Sequence, residues 1–258
     1  MQEHVMFEGR IMTITMIYVD FDGCLAPAVP GDTIDLDLIL LVRGLNARSR
    51  ETGDGPRVAI NSGRPEAFIE AHAQVLDIKD FCVFENGAGI FRFPSNHIEM
   101  YLDPGIPPTI HDDFNTMEKL VRDEFHVNRQ PCKEYNLTYL LPENDASIDQ
   151  IAGFLRDHIA SIGLPYYVET GINFINVIVE GTNKGTGLKM VANYTGLDTT
   201  RFAGIGDSMS DYDFLGLCGF TACPSNGAPR LQEKVDYVSP FPFAKGTIDI
   251  IKHVLETT

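Results

Sequence analysis

The stretch YVDFDGCLAP, residues 18–27, sets two carboxylates two positions apart at the end of an apolar run, with only Phe21 between Asp20 and Asp22. Three readings fit: a polar turn after a strand, a metal-binding loop, or a pair in which one carboxylate attacks while the other moves a proton. Just upstream, IMTITMIYVDF (11–21) is rich in β-branched and apolar residues and reads as a buried strand ending at Asp20. Residues i and i+2 of an ideal strand share a side, so the two carboxylates start from the same face. The remaining chain has to supply the partners that decide among the three.

Outward from this strand the chain alternates. DLDLILLVRGLNARSRET (35–52) carries apolar residues at helical spacing, and GDGP breaks it. RVAINSGRP (57–65) is a strand and turn ahead of the helix PEAFIEAHAQVL, and FCVFENGAGIFRF (81–93) is strand, turn, strand. This β-α-β-α-β order predicts a parallel sheet with helices on its faces. The middle reads differently. HDDFNTMEKLVRDEF (111–125) and SIDQIAGFLRDHIASIG (147–163) are amphipathic helices, and YNLTYLLP, PYYVETG and NFINVIVEG are strands close enough together to pair antiparallel. From Gly181 the alternation returns, with TGLKMVANYTGL as a helix and RFAGIGDS as a strand ending at Gly206–Asp207. The expected fold class is α/β: a doubly wound, Rossmann-like parallel-sheet core over residues 12–91 and 181–258, interrupted by an α+β cap over 92–180. The first residues read as an extension, with Met12 and Met16 as alternative starts.

Composition narrows the partners. The 258 residues carry a formal net charge of −16, which argues against nucleic acid and anionic membrane surfaces, because both need clustered Lys and Arg. No apolar run reaches the length of a membrane span. The five cysteines are odd in number, widely spaced and lack a C-x-x-C, which fits a reduced, cytoplasmic setting better than a disulfide framework. A monomer or homodimer is expected. The seven histidines form no H-E-x-x-H pattern, GTNKGTGL lacks the full G-x-x-x-x-G-K-[ST] pattern, and GIGDSM lacks the last glycine of G-x-G-x-x-G.

Four polar motifs follow strands or open helices where open parallel sheets bind ligands: Asp20-Phe-Asp22-Gly23, Asn61-Ser62-Gly63-Arg64, Lys184-Gly185 and Gly206-Asp207-Ser-Met-Ser-Asp211. Each alone reads as a turn. Together, in this order, they resemble the haloacid dehalogenase superfamily of phosphohydrolases. FENGAGIF ahead of the insert and NKGTGL after it resemble the subgroup with the type IIB cap, which includes sucrose-phosphate, mannosyl-3-phosphoglycerate, phosphoglycolate and Cof-like sugar phosphatases. The resemblance spans nearly the whole chain. Two positions depart from the family pattern: Cys24 stands where Thr is usual, and Ser210 where Asn is frequent.

The resemblance implies a phosphatase acting on a small phosphorylated metabolite, a phosphosugar or a phosphorylated small acid. Asp20 would be the nucleophile that forms an aspartyl-phosphate. Asp22 would protonate the leaving oxygen and later take a proton from water. One carboxylate cannot do both, since the nucleophile must be ionised and the donor must start neutral. Mg²⁺ would be held by Asp20, the Asp22 carbonyl and Asp207, with Asp211 ligating directly or through water. Lys184 would add a point charge at the transferring group, and the Ser62 hydroxyl with the Gly63 N–H would hold phosphoryl oxygens. Asn226 is read as support for the metal or as a turn residue, and Arg64 as a helix cap or a contact to the cap domain. The cap cations Arg92, Arg122, Arg129 and Lys133 have no assigned facing. A phosphomutase or phosphotransferase on the same intermediate is the rival enzyme, and a non-catalytic phospho-ligand-binding module the rival outside enzymes.

Overall fold

The apolar run that ends at Asp20 forms β1 (Met16–Val19), with all four side chains buried, as expected of a strand covered on both faces. The computed structural model describes residues 13–27, 32–142 and 145–257, so the expected N-terminal extension and Met12 lie outside the described residues. After β1 come α1 (Leu36–Thr52), β2 (Arg57–Ile60), α2 (Glu66–Val75), β3 (Cys82–Phe84), β4 (Gly89–Arg92) and β5 (Glu99–Leu102). The middle holds α3 (Ile110–Phe125), β6 (Leu137–Leu140), α4 (Ser147–Ile162), β7 (Tyr166–Thr170) and β8 (Phe174–Val179). The chain then runs α5 (Lys184–Thr195), β9 (Phe202–Ile205), α6 (Tyr212–Leu215), β10 (Phe220–Cys223), α7 (Pro229–Gln232), β11 (Tyr237–Val238) and α8 (Phe243–Thr257).

Five strands form a parallel sheet in the order β11-β10-β9-β1-β2. Helices pack on it and bury one continuous cluster. In α1 the buried stripe is Leu38, Val42, Asn46 and Ser49. Asn46 is tolerated there because its amide bonds the Val58 and Leu76 carbonyls and its oxygen accepts the Val58 N–H. This is the α/β core that the alternation predicts.

The middle segment pairs β6-β8-β7 antiparallel. Its strands alternate. Leu137, Tyr139, Ile175, Val177, Tyr166 and Val168 face a second cluster shared with α3 and α4. Thr138, Asn176 and Glu169 sit between them on the other face, in register across the sheet. The expected boundary at residue 92 falls at the end of β4, whose antiparallel partner β5 extends the core-side sheet to Leu102. Residues of the second cluster begin at Ile106. We therefore propose a cap from about 106 to 180, with β4 and β5 assigned to the core side. β5 is not among the strands expected from the sequence: its apolar run Met100–Leu102 is only three residues long, and Met100 and Leu102 are exposed.

Candidate active site

Parallel pairing of β1 with β2 and β9 brings three strand ends to one edge of the sheet, and Asp20, Ser62 and Asp207 follow those ends. The D-x-D-G turn needs its glycine. Gly23 has φ +83°, and a Cβ there would stand 2.0 Å from Asp207 Oδ2. Asn226 Nδ2 donates to the Gly23 carbonyl at 3.1 Å and reaches Asp207 Oδ2 at 3.4 Å, so it braces both loops. Cys24 is fully buried, its thiol pushed up by burial, and its carbonyl accepts the Thr247 hydroxyl at 2.9 Å. Such a thiol is unreactive and shapes the loop.

Lys184 opens α5 behind an Asn183–Thr186 capping box. Its ammonium lies 2.7 Å from Asp20 Oδ1 and 2.5 Å from Asp211 Oδ1. Asp211 is fully buried, and its Oδ2 accepts the N–H groups of Asp207 and Ser208, each at 2.9 Å, and the Ser208 hydroxyl at 3.0 Å. The four-residue spacing thus folds Asp211 back under its own loop, where it orients both Lys184 and Asp207. Ser210, the second departure, contacts the Ser208 hydroxyl at 2.7 Å.

Carboxylate oxygens of Asp20, Asp207 and Asp211 lie within 4.8 Å of one another. One ammonium cannot balance three carboxylates, two of them buried and Asp207 half-buried. Burial pushes the Asp20 carboxyl up, Lys184 pulls it down, and Asp211 and Asp207 add to the rise. Asp207 is pushed up to about 7, by burial first and then by Asp211. Burial opposes the charge on Lys184, yet Asp20 and Asp211 hold it protonated above the ordinary lysine range. A compact all-oxygen cluster with excess negative charge fits a hard divalent cation. Asp20 and Asp207 offer the more open oxygens, since all of Asp211's contacts are already taken up by N–H and O–H groups and the ammonium.

Asp22 occupies a different environment. Arg64 grips its carboxylate with both arms, Nε to Oδ2 at 2.7 Å and Nη2 to Oδ1 at 2.5 Å. Arg64 is therefore a fork on the second aspartate, beyond the helix-capping or cap-contact role read from the sequence. Ser62 Oγ accepts the Arg64 N–H at 3.2 Å. A Cβ on Gly63 would stand 2.6 Å from Asn86 Oδ1.

Asp20, Asp22, Ser62, Gly63, Lys184 and Asp207 all line one cavity of about 760 Å³, with Asp211 behind it. The cap supplies the opposite wall through Lys133, Thr138, Glu169 and Asn176. Sequence reasoning missed Asn86 and Glu85 and left Lys133 unplaced. The signal for Asn86 was the Asn-Gly pair in FENGAG: Asn86 has φ +56°, the left-handed region that Asn tolerates.

The family model described as haloacid dehalogenase-like hydrolase matches residues 108–251, more than half of the chain. The chain belongs to the haloacid dehalogenase-like hydrolases. Among curated relatives of this hydrolase, the phosphoglycolate phosphatase of Methanococcoides burtonii is 25% identical over 247 residues, covering 95% of this chain and 98% of the relative. Among solved structures, Thermoplasma acidophilum 0175 superposes with a TM-score of 0.74 at 18% identity, covering 95% of this chain and 99% of that one. A sugar phosphatase of haloacid dehalogenase subclass IIB superposes with a TM-score of 0.65 at 18% identity, covering 94% and 99%. These structures carry the fold, a parallel-sheet core with a cap domain, and the curated relatives place this haloacid dehalogenase-like hydrolase among the phosphatase enzymes. Among the described residues no helix is long and apolar enough to cross a membrane.

Proposed function

We propose that the protein hydrolyses a small phosphate monoester, a phosphosugar or a phosphorylated small acid, through an aspartyl-phosphate on Asp20. The observation that carries this reading is the Asp20 carboxylate at the cavity wall, 2.7 Å from the buried Lys184 ammonium and within an oxygen cluster suited to a divalent cation. The names of the curated relatives, phosphoglycolate phosphatases over up to 95% of this chain, support the substrate class.

In the first step Asp20 attacks phosphorus, and the bond from phosphorus to the leaving oxygen breaks. Asp22, in its protonated form, gives that oxygen its proton, which requires the Arg64 contact to loosen. In the second step water attacks the acyl-phosphate and loses its proton to Asp22. For that step Asp22 would be ionised and could keep its contacts with Arg64. Lys184 stabilises the negative charge gathering on the phosphoryl oxygens, and the Ser62 hydroxyl with the Gly63 N–H orients them. Asp20, Asp207 and the Asp22 carbonyl would hold Mg²⁺, which when bound supplies positive charge to the phosphoryl group. Asp22 and Asp20 stand in different surroundings, one against the Arg64 guanidinium facing the cavity and the other against the Lys184 ammonium beside Asp207 and Asp211.

Release of inorganic phosphate from a panel of phosphosugars and phosphorylated acids, with Mg²⁺ supplied, tests the reading. Asp20→Asn lowers kcat/KM by ~10⁴-fold or more, the scale seen when a covalent nucleophile is removed. Substantial turnover by a clean preparation of that variant would sink the mechanism.

A further inference from the structure

The four cations that the sequence placed in the cap are not alike, and Arg92 falls on the core side, in β4. Arg92 pairs with Glu99 at 2.5 Å, and Arg122 and Arg129 reach Glu118 at 3.7 and 3.2 Å. Lys133 is 7% exposed and lines the cavity, and among the described residues no carboxylate lies within 4.0 Å of its ammonium. Among the described residues its hydrogen-bond partner is neutral, the Thr138 Oγ1 at 2.9 Å. An ammonium has three protons to give, so two are left for whatever fills the cavity. A buried cation with no carboxylate in ion-pair contact is costly and needs a reason.

Its surroundings hold it in one place. Glu85, in the core-side turn after β3, accepts the N–H groups of Glu134, Tyr135 and Asn136 at 3.0, 2.8 and 2.7 Å. The residues immediately after Lys133 are thereby fastened to the turn that also carries Asn86, whose side chain abuts Gly63. From the other side Thr138 donates to Asn176 Oδ1 at 2.7 Å, and Asn176 donates to Glu169 Oε2 at 3.2 Å. Every bond in this row points from the ammonium toward the carboxylate. The Thr138 hydroxyl can therefore only accept from Lys133, and Glu169 is occupied by Asn176 at the far end.

We propose that Lys133 recognises a carboxylate on the organic part of the substrate, so that the preferred substrate is the phosphate monoester of a short hydroxy acid and not of a neutral sugar. This rests on the phosphatase reading above and decides between its two substrate classes. The phosphate is held at the Asp20–Lys184 side and the second anion on the cap wall. A neutral polyol would leave the Lys133 ammonium desolvated without a directly paired anion.

The test compares kcat/KM for 2-phosphoglycolate, ethyl phosphate and glucose 6-phosphate with Mg²⁺ present. In the native protein 2-phosphoglycolate is favoured over both others. In Lys133→Met the ratio of 2-phosphoglycolate to ethyl phosphate falls about 30-fold or more, chiefly through KM, as expected when one partner of a desolvated charge pair is removed. The ratio cancels any general loss of activity, and Lys133→Arg restores much of it. A ratio in Lys133→Met within about threefold of the native value, or native preference for glucose 6-phosphate, overturns the proposal while leaving the phosphatase reading intact. Failure of the native protein to release phosphate from any of the three, or from the wider panel, removes the phosphatase reading and this proposal with it. The native preference needs no variant, so poor folding of Lys133→Met does not shield the idea.

Discussion

Lys133 shows what a recognition residue costs the protein that carries it. Burial lowers its ammonium from the ordinary 10.5 to about 8; Glu85 and then Asp22 and Glu169 oppose that fall, while Arg64 adds to it. Below about pH 8 the lysine is charged in both folded and unfolded chains, and the folded protein bears the full penalty, roughly 3 kcal/mol. Between about 8 and 10.5 the unfolded chain binds more protons, so stability climbs with pH as the penalty is relieved. Lys133→Met should accordingly be more stable than the native protein by ~2–3 kcal/mol at pH 7, with the advantage shrinking toward pH 10. Urea unfolding at the two pH values measures it; an equal difference at both would mean the ammonium is not desolvated. At this scale the residues that line the core side of the cavity were legible. Asp20, Asp22, Ser62, Lys184 and Asp207 each follow a strand or open a helix, and phosphoryl chemistry limits the residue types that can serve there. Lys133 and Glu85 were not legible, because their meaning comes from contacts some fifty residues apart, between Glu85 and residues 134–136, which no local pattern announces.

The turn after β3 is the element that joins the two halves of the cavity. Glu85 lies there at φ +44°, a conformation that an unbranched acidic residue adopts only when its surroundings hold it. Burial pushes its carboxyl up, and the N–H groups it accepts pull the other way. Glu85→Ala would strand three cap N–H groups, at a cost of ~3 kcal/mol or more in global stability, read by chemical denaturation. Amide exchange at residues 134–136 should speed up in the same variant, and unchanged exchange would show that other partners hold that segment. Apolar runs made the buried strands visible in the sequence, since β1 is enclosed on both faces. The four-residue β5 escaped, and with it the end of the core-side sheet, because a three-residue apolar run is too short to show a strand period.

Across the whole molecule, acidic residues outnumber basic ones 36 to 20, and the tightest concentration of buried negative charge is the Asp20, Asp207 and Asp211 cluster. A cation bound there stabilises only the folded chain. Saturating Mg²⁺ should raise the thermal midpoint by ~5–10 °C over the chelator-treated protein, and Asp207→Asn should retain less than about half of that shift. Scanning calorimetry with and without Mg²⁺ checks this, and an undiminished shift in Asp207→Asn would place the ion elsewhere. The chain passes from the core-side sheet to the second cluster after Leu102 and returns between Val179 and Lys184. Every residue proposed for the chemistry lies outside that span, while Lys133 and its row of partners lie within it. On this reading a gene exchange confined to that span would change what is recognised while keeping every residue proposed for the chemistry, provided the incoming segment still offers Glu85 its N–H groups.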